Sequence, residues 1–204
     1  MSAIRGQYGA GEIEGKTVVA YNEEENIPPS STTETFAAIK LVVDNWRWLG
    51  VPFYLRSGKR MSGSLTEIAL ELRPAPSRMF GSERAVSNWI VLRLRPDETI
   101  EIQAVAKKAG LGMTTEQVML STTDEAAGGP EYSAYEQLLI DAVNGDCSLF
   151  IRGDEATEAW RIVQPILDRW SSDGQIPRYA SGADGPPPPA GFFDEGRSWR
   201  AVGP

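Results

Sequence analysis

The chain has 204 residues, 41% apolar and 24% charged, enough for one large domain or two small ones with a real core. Its 20 Lys and Arg against 28 Asp and Glu leave a net charge of −8 with no basic stripe, which argues against nucleic acid and anionic membrane as partners. It holds no histidine and one cysteine, Cys147, so it cannot assemble a Ser-His or Cys-His nucleophile pair, a zinc cluster or an internal disulfide. No run approaches the ~18 apolar residues of a membrane span. Met1-Ser2-Ala3-Ile4-Arg5 lacks the apolar core of a secretory signal, so a cytoplasmic setting is expected.

Residues 1 to 12 are Gly-rich and read as the middle of something rather than the start of a fold. Lys16 to Tyr21 is a brief β-branched run. Asn22 to Ser31, with three glutamates and Pro28-Pro29, reads as an exposed loop. Phe36 to Val43 carries mixed signals. Ser31-Thr32-Thr33-Glu34 resembles a helix cap, but Ile39, Leu41 and Val43 alternate, and the reading here is a strand. Trp46 and Trp48 are expected as core or interface anchors.

Val51 to Met61 is the most informative stretch. Phe53 and Leu55 alternate as in a strand, and Pro52 suits its first position. Ser57-Gly58 reads as a turn in which Gly58 can take a positive φ. Arg56, Lys59 and Arg60 crowd that turn. The pattern fits a phosphate cradle, with backbone N–H groups close to the anion and the ammonium acting as a point charge. Charged turns are common, and from this stretch alone a solvated hairpin corner is the plainer reading.

Four strands follow. Thr66 to Leu72 alternates and stops at Arg73-Pro74-Ala75-Pro76. Trp89 to Arg95 ends at a Pro96-Asp97 turn. Thr99 to Ala106 runs into Lys107-Lys108, and a short strand is expected over Glu116 to Ser121. Short connections between consecutive strands imply antiparallel pairing. After a Gly128-Gly129-Pro130 break the period becomes helical. Ser133 and Glu136 form a capping-box pattern, Tyr135, Leu138, Leu139, Ala142 and Val143 make a stripe, and Asn144-Gly145 ends it. Asp154 reads as the cap of a longer helix with a stripe from Ala156 to Trp170, bent at Pro165. The fold class is therefore α+β: a large, mainly antiparallel sheet with helices packed on one face. Residues 171 to 204 form a Pro/Gly-rich arm. Its Phe192, Phe193 and Trp199 should dock back on the body, since exposing each would cost ~1.5–3 kcal/mol.

Asp44-Asn45-Trp46-Arg47-Trp48, followed by Gly50 to Met61, resembles the signature of glucose-6-phosphate dehydrogenase, in the C-terminal half of that enzyme. Arg5-Gly6-Gln7-Tyr8, Thr32 to Ala38, Thr66-Glu67-Ile68, Asn88 to Pro96 and Lys107-Lys108 continue the likeness in order. Ala134 to Leu139, Gly145-Asp146, Arg152-x-Asp154-Glu155, Ala159-Trp160-Arg161 and Tyr179-x-Ser181-Gly182 carry it toward the end.

The resemblance implies the fold of that family's C-terminal domain. It implies a parent enzyme that oxidises glucose 6-phosphate to 6-phosphogluconolactone with NADP, in some members NAD, as the first step of the pentose phosphate pathway. The family's Rossmann domain, with its Gly-rich phosphate loop and the catalytic His and Asp, lies in its N-terminal half. This chain has neither a G-x-G-x-x-G motif nor a histidine, so it reads as the substrate-binding and dimerisation domain alone, over residues 1–204.

The resemblance also implies residue roles. Lys59 falls on the family lysine that reaches the sugar phosphate, and Ser64 stands where members usually carry a second Lys or Arg. A serine donates without charge assistance, and Arg60 is the nearest replacement. Arg56, Arg93 and Lys107 lie where some members bind a second, structural NADP. No catalytic and no metal-ligating residue is expected here. The implied partners are glucose 6-phosphate and a second subunit, as a homodimer. The rival reading is a catalytically inactive, standalone sugar-phosphate-binding or scaffold module.

Overall fold

The computed structural model describes residues 2–74, 87–96, 98–123 and 132–200. The expected stop at Arg73 to Pro76 and the Pro96-Asp97 turn fall partly outside these residues, and the Gly128-Gly129-Pro130 break wholly outside. Two compact units result, one of Met1–Gly63 with Ala134–Pro204, the other of Ser64–Ser133.

The first unit contains strand β1 (Ser2–Gly9), the hairpin β2 (Gly11–Ile13) and β3 (Lys16–Val18), a 3₁₀ turn at Tyr21–Glu23, then β4 (Phe36–Val42) and β5 (Pro52–Gly58). The second contains β6 (Thr66–Glu71), β7 (Trp89–Arg95), β8 (Thr99–Lys107) and β9 (Thr115–Thr123). The chain then returns to the first unit with α1 (Ala134–Asn144), α2 (Gly153–Ser172) and β10 (Arg178–Ala180).

The first sheet runs β10-β1-β4-β5 and the second β6-β7-β8-β9. Pairing is antiparallel throughout both, except that β1 and β10 run parallel. The α+β class and the mainly antiparallel character stand. Among the described residues the strands form these two four-stranded sheets, with β2 and β3 as a separate pair.

β1 is the element the sequence concealed. Arg5, Gly6, Gln7 and Tyr8 are all buried, although three of them lack an apolar side chain. Their burial is compensated by hydrogen bonds. Gln7, 1% exposed, donates from Nε2 to the carbonyls of Ser31 and Thr33, both at 3.0 Å. Arg5 donates to the carbonyls of Asp173 and Gln175, which places a cation at the C-terminal end of α2, where the helix dipole favours one. Gly6 lies in close packing: a Cβ there would stand 3.1 Å from the Pro186 ring and 3.2 Å from the Tyr179 ring, so one of them would have to shift by a few tenths of an ångström.

The core of this unit is aromatic. Tyr8, Phe36, Ala38, Tyr179 and Phe192 are buried together, with Ile4, Tyr21, Tyr54, Met61, Phe193 and Trp199 packed around them. The C-terminal arm docks as expected. Phe192, Phe193 and Trp199 stack on one another, and Tyr54 meets both phenylalanines. Asp194 closes the contact, accepting from Lys40 Nζ at 2.5 Å and from the Tyr54 hydroxyl at 2.8 Å. At the other end of β10, the buried Ser181 donates to the Gly9 carbonyl at 2.8 Å.

The helices begin and end differently from one another. α1 closes in a Schellman motif: the Gly145 N–H reaches the Ala142 carbonyl (3.3 Å) and the Asp146 N–H the Asp141 carbonyl (2.9 Å), with Gly145 at φ 73°. In α2 the residue before the first turn is Arg152, whose N–H is capped by Glu155 Oε2 at 3.1 Å. Asp154, expected as the cap, lies inside the first turn, because the carboxylate three residues after Arg152 reaches back and takes that role. Pro165 is accommodated within the continuous helix. The α2 stripe is buried at Ile166 and half-buried at Val163, Leu167 and Trp170. By contrast Trp160, and Tyr135, Leu139 and Val143 of α1, are exposed. Trp46 is exposed as well, at 87%, so it is no core anchor; Trp48 meets Phe53 edge-on at 5.3 Å.

In the second unit the register aligns Ile68, Leu92 and Ile100 in one row and Leu70, Ile90, Ile102 and Leu120 in the next. Ile68, Leu70, Ile100, Ile102 and Leu120 on this face are exposed. The opposite face holds the buried Val91 and an ion pair between Arg93 and Glu101 at 3.2 Å.

Candidate functional site: the basic corner after β5

β4 and β5 pair from Phe36↔Gly58 to Val42↔Pro52. Ser57 and Gly58 are therefore the last strand residues, not a turn, and Gly58 does not take a positive φ. Its small size serves packing: a Cβ would lie 2.7 Å from Met61 Sδ and 2.8 Å from Phe36 Cδ2. The turn comes two residues later, where Arg60 takes φ 54°.

Lys59 sits between strand and turn. Its N–H donates to the Thr35 carbonyl at 2.8 Å, one step past the end of the ladder. That N–H is thereby committed to the protein, so the expected cradle of backbone donors does not include it. Its carbonyl accepts from the Tyr179 hydroxyl at 2.7 Å. The following residues are tied to the segment after β10: the Gly182 N–H donates to the Arg60 carbonyl at 2.8 Å, and Ser62 Oγ bonds to Asp184.

The three cations of the corner differ in what they meet. The Arg56 guanidinium lies 4.9 Å from the centre of the Trp199 ring. Arg60 is paired with Glu24 at 3.2 Å, and the Tyr8 hydroxyl donates to the same carboxylate oxygen at 2.7 Å. These two donors hold the Glu24 carboxyl below the usual carboxylate range, the tyrosine bond first. Burial and the neighbouring carboxylate push the Tyr8 phenol up. Lys59 is exposed, and among the described residues its ammonium has no partner. It is the cation this corner leaves available to an anion.

The remaining residues singled out by sequence, Ser64, Arg93 and Lys107, belong to the second unit. Ser64 is exposed at the beginning of the second unit. Arg93 is in β7, paired with Glu101 across to β8. Lys107 closes β8 and donates to the carbonyls of Lys108 (3.1 Å) and Gly110 (2.6 Å). Arg56 belongs to the first unit, Arg93 and Lys107 to the second. Periodicity gives no hint of Thr35, Glu24 or Tyr179 in the corner, because each acts across a sequence separation that no local pattern encodes. Among the described residues no helix is long and apolar enough to cross a membrane, and no cluster of three or more His, Cys, Asp or Glu could hold a metal.

The fold is a sheet-rich α+β class with an exposed lysine at a pinned strand end. Residues 1–200 match the family model described as glucose-6-phosphate dehydrogenase, C-terminal domain, and the chain belongs to that family. It is 41% identical over 199 residues to a glucose-6-phosphate 1-dehydrogenase of Aggregatibacter actinomycetemcomitans, covering 97% of this chain and 40% of that protein. It is 44% identical over 202 residues to the enzyme of that name from Mycolicibacterium smegmatis, covering 96% and 40%. Two solved structures share the fold. One is the glucose-6-phosphate 1-dehydrogenase of Mycobacterium avium, with TM-score 0.77 and 35% identity over 98% of this chain and 40% of that one. The other is a glucose-6-phosphate dehydrogenase in complex with its substrate glucose-6-phosphate, with TM-score 0.80 and 31% identity over 98% and 41%. The chain thus spans about 40% of the length of the relatives it matches.

Proposed function

We propose that this chain acts as the C-terminal, substrate-binding part of an enzyme that oxidises glucose 6-phosphate to 6-phosphogluconolactone, with Lys59 holding the sugar phosphate. The observation that carries the reading is the contrast at the corner: Arg60 is neutralised by Glu24, while the Lys59 ammonium is exposed on a backbone fixed at both its N–H and its carbonyl. A phosphate dianion takes a charge-assisted hydrogen bond from such an ammonium, worth about 1.5–3 kcal/mol. Ser64 adds a hydroxyl donor at most, so this site recognises phosphate with fewer charges than the family pattern implies.

Hydride transfer needs a nicotinamide dinucleotide, NADP in our reading, and a general base. The residues here do not fit either. The chain has no histidine and no G-x-G-x-x-G motif, and among the described residues its sheets are not built from βαβ units. For a second, structural dinucleotide the donors are also poor, since Arg93 is paired with Glu101 and Lys107 with two carbonyls, leaving Arg56 beside Trp199. We expect the 204-residue chain alone to reduce no NADP in the presence of glucose 6-phosphate, and the intact polypeptide in its source cell to be larger than this chain.

The exposed apolar rows of β6, β7, β8 and β9 support pairing with a second subunit as a homodimer, and a cytoplasmic setting goes with the single free cysteine. The deciding experiment is titration of the chain with glucose 6-phosphate, followed by calorimetry. Lys59→Ala should weaken binding roughly ten- to a hundredfold, the equivalent of one charge-assisted bond. Equal binding by the variant would remove Lys59 from the site and with it the reading.

A further inference from the structure

The Tyr179 side chain bonds to the backbone on both sides of the corner. It is 5% exposed, and its ring packs edge-on against Phe36 with centroids 5.7 Å apart. Its hydroxyl stands 2.7 Å from the Lys59 carbonyl and 3.2 Å from both the carbonyl and Oγ1 of Thr35. A phenol has one proton to give and lone pairs to receive. The shortest contact assigns the proton to the Lys59 carbonyl, and the hydroxyl of Thr35 can donate to the phenol oxygen in return. Thr35 Oγ1 itself accepts the Tyr8 N–H at 2.9 Å, and the Thr35 carbonyl accepts the Lys59 N–H at 2.8 Å. The result is a closed ring of hydrogen bonds, Lys59 to Thr35 to Tyr179 and back to Lys59. It begins where the β4–β5 ladder ends at Gly58.

The ring has a specific mechanical effect. Without it, the first residue past the ladder would be free to rotate, and the four-carbon stem of Lys59 would sweep its ammonium through a large volume. Binding would then carry the cost of fixing the backbone as well as the side chain. With both backbone groups of Lys59 held, only the side chain remains to be ordered. The ring also stands apart from the general packing of β10, which Ser181 secures separately through Gly9.

We propose that Tyr179 is a positioning residue for phosphate recognition, acting through the Lys59 backbone and never touching the ligand. This rests on the assignment of Lys59 to the sugar phosphate. The test uses the whole chain with two probes, glucose 6-phosphate and inorganic phosphate, and four proteins: wild type, Lys59→Ala, Tyr179→Phe and Ser181→Ala. Tyr179→Phe keeps the ring against Phe36 and removes one oxygen. It should raise Kd for both probes about fivefold, the worth of one ordinary hydrogen bond, and should speed hydrogen exchange at the Lys59 amide. Ser181→Ala removes a comparable buried bond just past the same strand, and should leave both the affinity and the Lys59 amide unchanged.

The outcomes separate the two claims. If Lys59→Ala weakens binding while Tyr179→Phe matches wild type, the positioning role is wrong and the Lys59 assignment survives. If Ser181→Ala weakens binding as much as Tyr179→Phe, the effect is general loosening, and the positioning role is wrong again. If Lys59→Ala binds like wild type, or wild type binds neither probe, the Lys59 assignment falls and takes the proposal with it.

Discussion

Among single residues, the corner is a matter of which charges are already satisfied. Arg60 and Lys59 are neighbours, yet the positive φ of Arg60 sends its guanidinium to Glu24 and the Tyr8 ring. Glu24 thereby acts as an internal competitor for the anion. Glu24→Gln removes that competitor, and glucose 6-phosphate should bind about twofold or more tightly, a modest gain because the pair is solvent-screened. An unchanged or weaker affinity would show that Arg60 does not face the ligand once released. The same carboxylate gives a pH signature. Its pKa is held down in the folded chain by Tyr8 and Arg60, so its contribution to stability is complete above the unfolded value of about 4.3 and is lost as pH falls through the folded value. The acid limb of a stability profile should therefore be shallower in Glu24→Gln than in wild type, with the stability difference largest near neutrality and vanishing at low pH.

Among the elements, the arm and the corner are linked. The aromatic cluster of Phe192, Phe193 and Trp199 lies on β5 through Tyr54, and Arg56 stacks on Trp199. Asp194 fixes the tip by bonds to Lys40 and Tyr54, and Lys40 first, then Tyr54, holds its carboxyl below the usual range. Because Asp194 is exposed, Asp194→Asn should leave the thermal midpoint nearly unchanged while making residues 187–200 more sensitive to limited proteolysis. Acidification should do the same to the wild type as Asp194 protonates, since a depressed carboxyl loses its contribution as pH falls. Equal cleavage of variant and wild type would mean that the aromatic cluster alone holds the arm.

For the molecule as a whole, the second unit presents exposed apolar rows. Five large aliphatic side chains on one face of a four-stranded sheet make a contiguous patch of the kind that marks an interface. A symmetric pairing would bury the same rows on both subunits. Leu120→Lys puts a charge into the row formed with Ile102, Ile90 and Leu70. It should raise the dimer dissociation constant by at least tenfold in sedimentation measurements, without changing the secondary structure. A wild-type chain that stays monomeric at high micromolar concentration would overturn the pairing.

Strands with a clean period of two are legible from their residues alone. Ile68, Leu70 and Leu72, Ile90 to Leu94, and Ile100 with Ile102 announce β6, β7 and β8 almost to the residue. The aromatic arm is legible because three large rings on a proline-rich tail have no stable alternative to docking. β1 is hidden because its buried residues are Arg5, Gly6, Gln7 and Tyr8, and a strand stabilised by buried polar groups has no apolar rhythm. β10 is hidden because three residues are too few to show one. Gly58 reads as a turn glycine because sequence cannot tell a residue that needs a positive φ from one that needs room for Phe36 and Met61.

Family membership is written in ordered motifs spread over nearly the whole chain, and with it come the α+β class and the choice of Lys59. What the chain lacks is equally plain in its residues: a histidine base and a dinucleotide fingerprint are matters of composition and spacing, which need no coordinates. Which of three adjacent cations is available emerges only from the folded chain, since Glu24 reaches Arg60 across 36 positions and Tyr179 reaches Lys59 across 120. Partners brought together by sheet pairing leave no local trace, because the chain's short-range preferences are the same whether or not the distant group arrives.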